Sequence, residues 1–148
     1  MTKYRPHQGT ATAWRKSNPH ETSKVELAYG QHLELRYRAG EIVRYRHECT
    51  RLKLWDRSGA PGKRAAWYTP DYTVTHLDGT MQHIEVKGYH GTAKAAAVSG
   101  AGAAARLRIG RAASAYPEYQ FTIVSPRAKK NGCGWDVEEF SAEREAKA

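Results

Sequence analysis

Apolar positions recur at helical spacing early in the chain. Val25, Tyr29, Leu33 and Tyr37 repeat every four residues and predict a helix that begins near Thr22 or Ser23. Ser23-Lys24-Val25-Glu26 has the spacing of a capping box, in which a serine hydroxyl and a glutamate carboxylate each take a backbone N–H at the helix start. Ala39-Gly40 predicts the stop, because glycine accepts the left-handed backbone just past a helix end. The period then changes. Arg51-Leu52-Lys53-Leu54-Trp55 alternates polar and apolar side chains as a half-buried strand does. Residues 56–64, with Gly59, Pro61 and Gly62, read as a loop. Strands over 67–77 and 81–87 follow, joined by a hairpin turn at Asp78-Gly79-Thr80. Residues 92–116 are alanine-rich and helical in tendency despite Gly100, Gly102 and Gly110, and Pro117 ends them. Residues 119–124 form a β-branched and aromatic run, stopped by Pro126. Residues 135–140 fit either a short edge strand or a helix. A strand, a helix and a strand within this length make a right-handed crossover, so the strand at 119–124 is expected to lie parallel to its partner.

These elements make one α/β domain over residues 21–140, with a mobile basic arm at 1–20 and a charged tail at 141–148. A length of 148 residues suits one domain and leaves little room for a second. Mean hydropathy is -0.77 and no run approaches the length of a membrane-crossing helix, so no membrane partner is expected. Residues 1–15 lack the apolar stretch of an export signal. Cys49 and Cys133 are accordingly read as reduced thiols of a cytoplasmic protein. Charge narrows the choice of partner. Lys and Arg number 24 against 15 Asp and Glu, a net +9. Residues 1–20 hold Lys3, Arg5, Arg15 and Lys16 with no acid, while 138–148 are net acidic, so the excess is not confined to a tail. A basic body suits a polyanion such as nucleic acid; a basic protein without such a partner is the competing reading.

Candidate chemistry gathers at the central hairpin. Side chains alternate along a strand, so Glu85 and Lys87 share one face while Ile84 and Val86 share the other. A three-residue loop at 78–80 would set Thr73 opposite Glu85 and Asp71 opposite Lys87. Two carboxylates and an ammonium group on one face suit a hard divalent cation.

Pro70-Asp71 followed by Glu85-Val86-Lys87 resembles the PD-(D/E)xK signature of the restriction-endonuclease-like nuclease superfamily. The helix that opens Ser23-Lys24-Val25-Glu26 and ends Ala39-Gly40-Glu41-Ile42 is similar to that of a phage-associated branch of small nucleases. Lys87-Gly88-Tyr89 and Thr92 also stand where that branch has them. The resemblance covers about residues 23–124 and implies a restriction-endonuclease-like core of order αβββαβ, a mixed sheet flanked by helices. It implies that Asp71, Glu85 and the Val86 carbonyl hold Mg²⁺, with Mn²⁺ as substitute. Lys87 would be the catalytic lysine and Glu26 a helix-borne carboxylate that binds the metal directly or through water. The chain departs from the branch in its Ala- and Gly-rich second helix, whose counterpart is usually more charged. A phage protein in the cytoplasm of a bacterial host follows from the same resemblance.

Each residue has a plainer reading. Glu26 closes a capping box, Asp71 starts a strand after a turn, and Glu85 and Lys87 occupy ordinary solvent-facing positions. His47, Cys49 and Cys133 lack the spacing of a zinc site. Lys16, His83, Lys94, Arg108 and Arg111 are candidate phosphate contacts, against half-exposed or solvated positions. His76 is expected to pack on the opposite face from His83. Trp67, Tyr68 and Tyr89 flank the motif as candidates for stacking on unpaired bases, with core packing the competing reading for Trp67. The function expected is Mg²⁺-dependent DNA endonuclease activity that reads shape or backbone more than sequence, as a monomer or homodimer. The alternatives are a dimeric Holliday-junction resolvase or transposition strand-cutting subunit, and a non-catalytic DNA-binding protein of the same fold.

Overall fold

The computed structural model describes residues 23–55, 65–88, 100–127 and 132–141. The arm, the tail beyond Ser141, the 56–64 loop and the start of the second helix lie outside those residues, as do Lys16 and Lys94.

The first helix, α1 (Lys24–Arg38), begins where its cap predicts. Ser23 Oγ accepts the Glu26 N–H and Glu26 Oε2 accepts the Ser23 N–H, both at 3.2 Å. Substituting a serine cap usually costs about 1 kcal/mol. The helix stops at Ala39, and Gly40 takes the left-handed turn at φ 74°. Glu26, Tyr29 and Leu33 lie on its buried side.

Seven strands follow among the described residues: β1 (Ile42–His47), β2 (Leu52–Trp55), β3 (Ala66–Tyr68), β4 (Tyr72–His76), β5 (Met81–Val86), β6 (Gln120–Pro126) and β7 (Trp135–Phe140). The second helix, α2 (Gly100–Ala115), lies between β5 and β6. The main sheet is mixed, in the order β1-β4-β5-β6-β7. β5 and β6 run parallel, as the crossover requires, and the other neighbours run antiparallel. β2 and β3 form a separate two-stranded ribbon. Among the described residues, no helix is long and apolar enough to cross a membrane.

Two elements differ from the sequence expectation, and a third settles a choice it left open. β1 was not expected; with three basic residues and exposed Val43 it carries an edge strand's composition, and only pairing with β4 reveals it. The strand expected over 67–77 is two strands in two sheets. Pro70 interrupts it, since proline has no N–H to give a ladder, and its side chain is buried at the break. Residues 135–140 resolve as an edge strand, paired with β6.

Each face of the main sheet has its own core. Tyr29 and Leu33 of α1 pack on Tyr72, Val74, Ile84, Val86 and Val124. On the opposite face, Ile109, Ala112 and Ala113 of α2 pack with Phe121 and Ile123, together with Leu52 and Tyr68 of the ribbon. Small side chains on α2 let it lie close to the sheet, which is what the alanine-rich sequence does here.

α1 approaches the sheet closely at Gly30. A Cβ there would lie 2.5 Å from the Tyr72 hydroxyl, which donates a 2.8 Å hydrogen bond to the Glu26 carbonyl. Gly30→Ala is therefore expected to destabilise by about 1–2 kcal/mol, overpacking outweighing alanine's helix propensity. The penalty should shrink in a Tyr72→Phe background, where the clashing oxygen is gone. Thermal unfolding of the four proteins in this cycle measures the coupling, and an unchanged penalty would refute the contact as the cause.

Candidate functional site

The β4–β5 hairpin decides what meets at its open end. Gly79 donates to the His76 carbonyl at 3.0 Å and His76 donates to the Thr80 carbonyl at 2.9 Å, with Gly79 at φ 87°. The loop thus has three residues, 77–79, ending in a left-handed glycine. It begins one residue earlier than expected, which moves the register by two. Thr73 faces His83 rather than Glu85, and Tyr72 faces Ile84. Asp71, just before β4, is consequently level with Glu85 instead of Lys87. A step of two preserves which face each side chain occupies, so Asp71, Glu85 and Lys87 still converge.

The hydrogen bonds at this end are specific. Asp71 Oδ2 accepts the Val86 N–H at 2.7 Å, while Oδ1 accepts no hydrogen bond from the described residues. Glu85 is buried and both its oxygens are engaged: Lys87 Nζ donates to Oε1 at 2.7 Å and the Tyr68 hydroxyl donates to Oε2 at 3.1 Å. Lys87 N–H meanwhile donates to the Val124 carbonyl, continuing the parallel ladder. Burial, then the neighbouring Glu85 charge, push the Asp71 carboxyl up to about 7; Glu26 adds to the rise, against the Val86 N–H and Lys87. Burial, then the Glu85 and Asp71 carboxylates, also push the Tyr68 hydroxyl far up, so it stays a donor.

Glu26 belongs to the same end of the sheet but turns elsewhere. Its Oε1 lies 2.9 Å from His47 Nε2, and its Oε2 closes the capping box. The expected cap is therefore present, with a second bond that spacing could not foretell. Glu26, His47 and Glu48 each offer a ligand atom within 4.8 Å of the other two. Glu48 sits at φ 43°, and its N–H donates to the Asp71 carbonyl at 2.9 Å, closing β1 onto the start of β4. Sequence spacing sets His47 only beside the cysteines, whose thiols at Cys49 and Cys133 are free and exposed.

The candidate phosphate contacts divide. His83 is a correction: it is 1% exposed, bonded through Nδ1 to Thr73 Oγ1 at 3.0 Å, and packed edge-on to Tyr119. Burial drives its imidazole down to about 4, so it is neutral and out of reach of a phosphate. The face carrying it is covered by the second core, so His83 is neither the phosphate contact nor the half-exposed residue expected. His76, expected to be packed, is half-buried and bonded to Gln82. Arg108 and Arg111 are exposed on α2. Arg108 lies near enough to Tyr68 for its charge to oppose the upward shift of that hydroxyl. Trp67 is not core: it is 43% exposed.

Glu48 is the site residue sequence reasoning missed, and Tyr68, expected to be a candidate for stacking on unpaired bases, is instead buried in the second core with its hydroxyl on Glu85. Tyr68 follows an alternation in which Leu52 and Tyr68 pair on the ribbon's inner face, but that pairing spans two sequence-distant strands. Glu48 had no signal beyond its place at a strand end. No protein-family model matches the chain, and no curated protein matches it either.

The crowding of Asp71 has a measurable sign. Its folded pKa is raised, so the stability it contributes is fully present below the unfolded value of 3.8 and is lost as pH rises through about 7. Asp71→Asn keeps an oxygen for the Val86 N–H without the charge. In chelator, its melting temperature is expected to gain on the parent's as pH rises from about 4 to 8. A difference that stays constant across this range would show that Asp71 is not crowded.

Proposed function

We propose that the chain is a divalent-metal-dependent nuclease with a restriction-endonuclease-like core, hydrolysing phosphodiester bonds of DNA. The reading is carried by one observation: Asp71 and Glu85 are juxtaposed where β4 begins and β5 ends, with Lys87 on Glu85. Clustered anionic oxygens raise one another's proton affinity, and a hard cation relieves the same repulsion. The donor set therefore fits Mg²⁺ or Mn²⁺, held by Asp71, Glu85 and the Val86 carbonyl, with Glu26 joining directly or through water. The bound cation would supply Lewis acidity toward a phosphodiester.

The chain's own residues divide the remaining work. Tyr68 and Lys87 fix the two oxygens of Glu85, so its carboxylate is oriented before a metal arrives. With Glu85 holding a cation, the Lys87 ammonium would offset negative charge on the phosphate in the transition state. The Asp71–Val86 hydrogen bond pins the strand end that presents the carbonyl. Support for the fold comes from the order of elements: a glutamate-bearing helix, a hairpin, a crossover and a parallel strand. The net +9 charge supports a nucleic-acid substrate.

Incubating the protein with linear duplex, single-stranded, flapped and four-way DNA in Mg²⁺, Mn²⁺ or excess chelator tests the proposal. Cleavage is expected with either metal and in neither chelator nor a Lys87→Ala variant. Undiminished cutting in chelator would overturn the metal-dependent reading, and no cutting of any substrate would overturn the nuclease reading. Glu26→Gln separates cap from ligand, since glutamine also closes a capping box. It should lower the rate by about tenfold or more, with partial rescue at higher Mg²⁺, if the carboxylate serves the metal. Ser23→Ala is the control, expected to lose about 1 kcal/mol of stability and leave the metal requirement unchanged.

A further inference from the structure

The β2–β3 ribbon has two unlike faces. Leu52 and Tyr68 oppose each other and are buried in the second core. Lys53 and Trp67 oppose each other on the other face. Trp67 is 43% exposed, and its ring lies 4.6 Å from Arg51 Cζ and 5.7 Å from Lys53 Nζ. An indole left half in water contributes less to a core than its area allows, yet this one is held in place. The Tyr116 hydroxyl brackets the Lys53 backbone, accepting its N–H at 3.1 Å and donating to its carbonyl at 2.8 Å. The ribbon is thereby tied to the end of α2.

We infer that the outer face of this ribbon is a seat for an unpaired base of a nucleic-acid strand, with Trp67 stacking on the base and Arg51 and Lys53 meeting its phosphates. The chemistry selects this occupant. Residues 51–55 and 65–69 contain no Asp or Glu, so the face attracts anions. An acidic peptide uses the cations but not the indole, and an apolar partner would bury the cations at a cost. A nucleotide uses both. A paired duplex keeps its base faces stacked on one another, so the indole favours a base outside a helix. The location fits the proposed cleavage site, on which the inference rests for the choice of polymer. Tyr68, the next residue, bonds Glu85, and Asp71 follows four residues after Trp67. At about 3.3 Å per extended residue the seat lies no more than about 13 Å along the chain from Asp71, or roughly four stacked nucleotides.

Fluorescence anisotropy of the full-length protein, in excess chelator to prevent cutting, tests the seat with a labelled oligo-dT strand and a duplex of equal length. Trp67→Leu keeps apolar bulk without a π face. It should weaken single-strand binding about tenfold and duplex binding less than twofold, while Trp67→Phe stays within about threefold of the parent. Arg51→Gln provides a second route independent of the indole, and should lower the salt dependence of single-strand binding by about one phosphate contact. Equal losses on strand and duplex, no loss in Trp67→Leu, or Trp67-dependent binding of poly-glutamate as tight as that of oligo-dT would overturn the inference. Its failure is separable from that of the nuclease reading. Trp67-dependent strand binding without metal-dependent cutting leaves the seat and removes the nuclease; cutting with Trp67-independent binding does the reverse.

Discussion

The Tyr72 phenol joins the two layers that carry the acidic residues. Its ring belongs to the core under α1, its hydroxyl bonds the Glu26 carbonyl, and its backbone immediately follows Asp71. Glycine at position 30 gives that hydroxyl its room. One side chain therefore sets the height of the helix over the sheet and, through it, how near Glu26 comes to Asp71. Burial and Glu85 do most to raise the Asp71 pKa, and the smaller contribution of Glu26 is a product of this packing, since the two residues stand 45 positions apart in the sequence.

The acidic end of the sheet is built against electrostatic cost. Asp71 and Glu85 are partly or wholly withdrawn from water, and one ammonium, the Val86 N–H and the Tyr68 hydroxyl offset only part of their repulsion. A fold selected for stability alone gains nothing from such an arrangement. The cost is concentrated at one end of the sheet; elsewhere β4, β5 and β6 present Val74, Ile84, Phe121 and Val124 to two continuous cores.

Local signals in the sequence were accurate because their physics is local. The capping box at Ser23 and Glu26, the glycine stop at Gly40 and the helix end before Pro117 each involve groups a few residues apart. The parallel crossover was legible from element order alone. What depended on pairing was less so. β1 looks solvent-directed until β4 lies beside it, and the 67–77 segment looks continuous until its halves enter different sheets. His83 has the alternation of a surface residue, and only the helix and ribbon above it make it core. Asp71, Glu85 and Lys87 came together despite a misjudged register because the error was even. Tyr68 was legible as a neighbour of the motif but not as a donor to Glu85, because that partner is reached through the sheet and not along the chain.

The evenness of that step has a consequence for how the hairpin can vary. Leu77, Asp78 and Gly79 are exposed at the end of the hairpin remote from Asp71, so the loop can change length without touching the acidic end directly. Length changes that shift the pairing by two exchange which residues lie opposite but leave each on its own face. A shift of one would turn the acidic side chains toward the α1 core and the apolar ones away from it. Homologous chains should accordingly show hairpin indels that preserve parity. For the experimenter, the same loop offers an attachment point for a fluorophore or a surface tether at the opposite pole from the carboxylates.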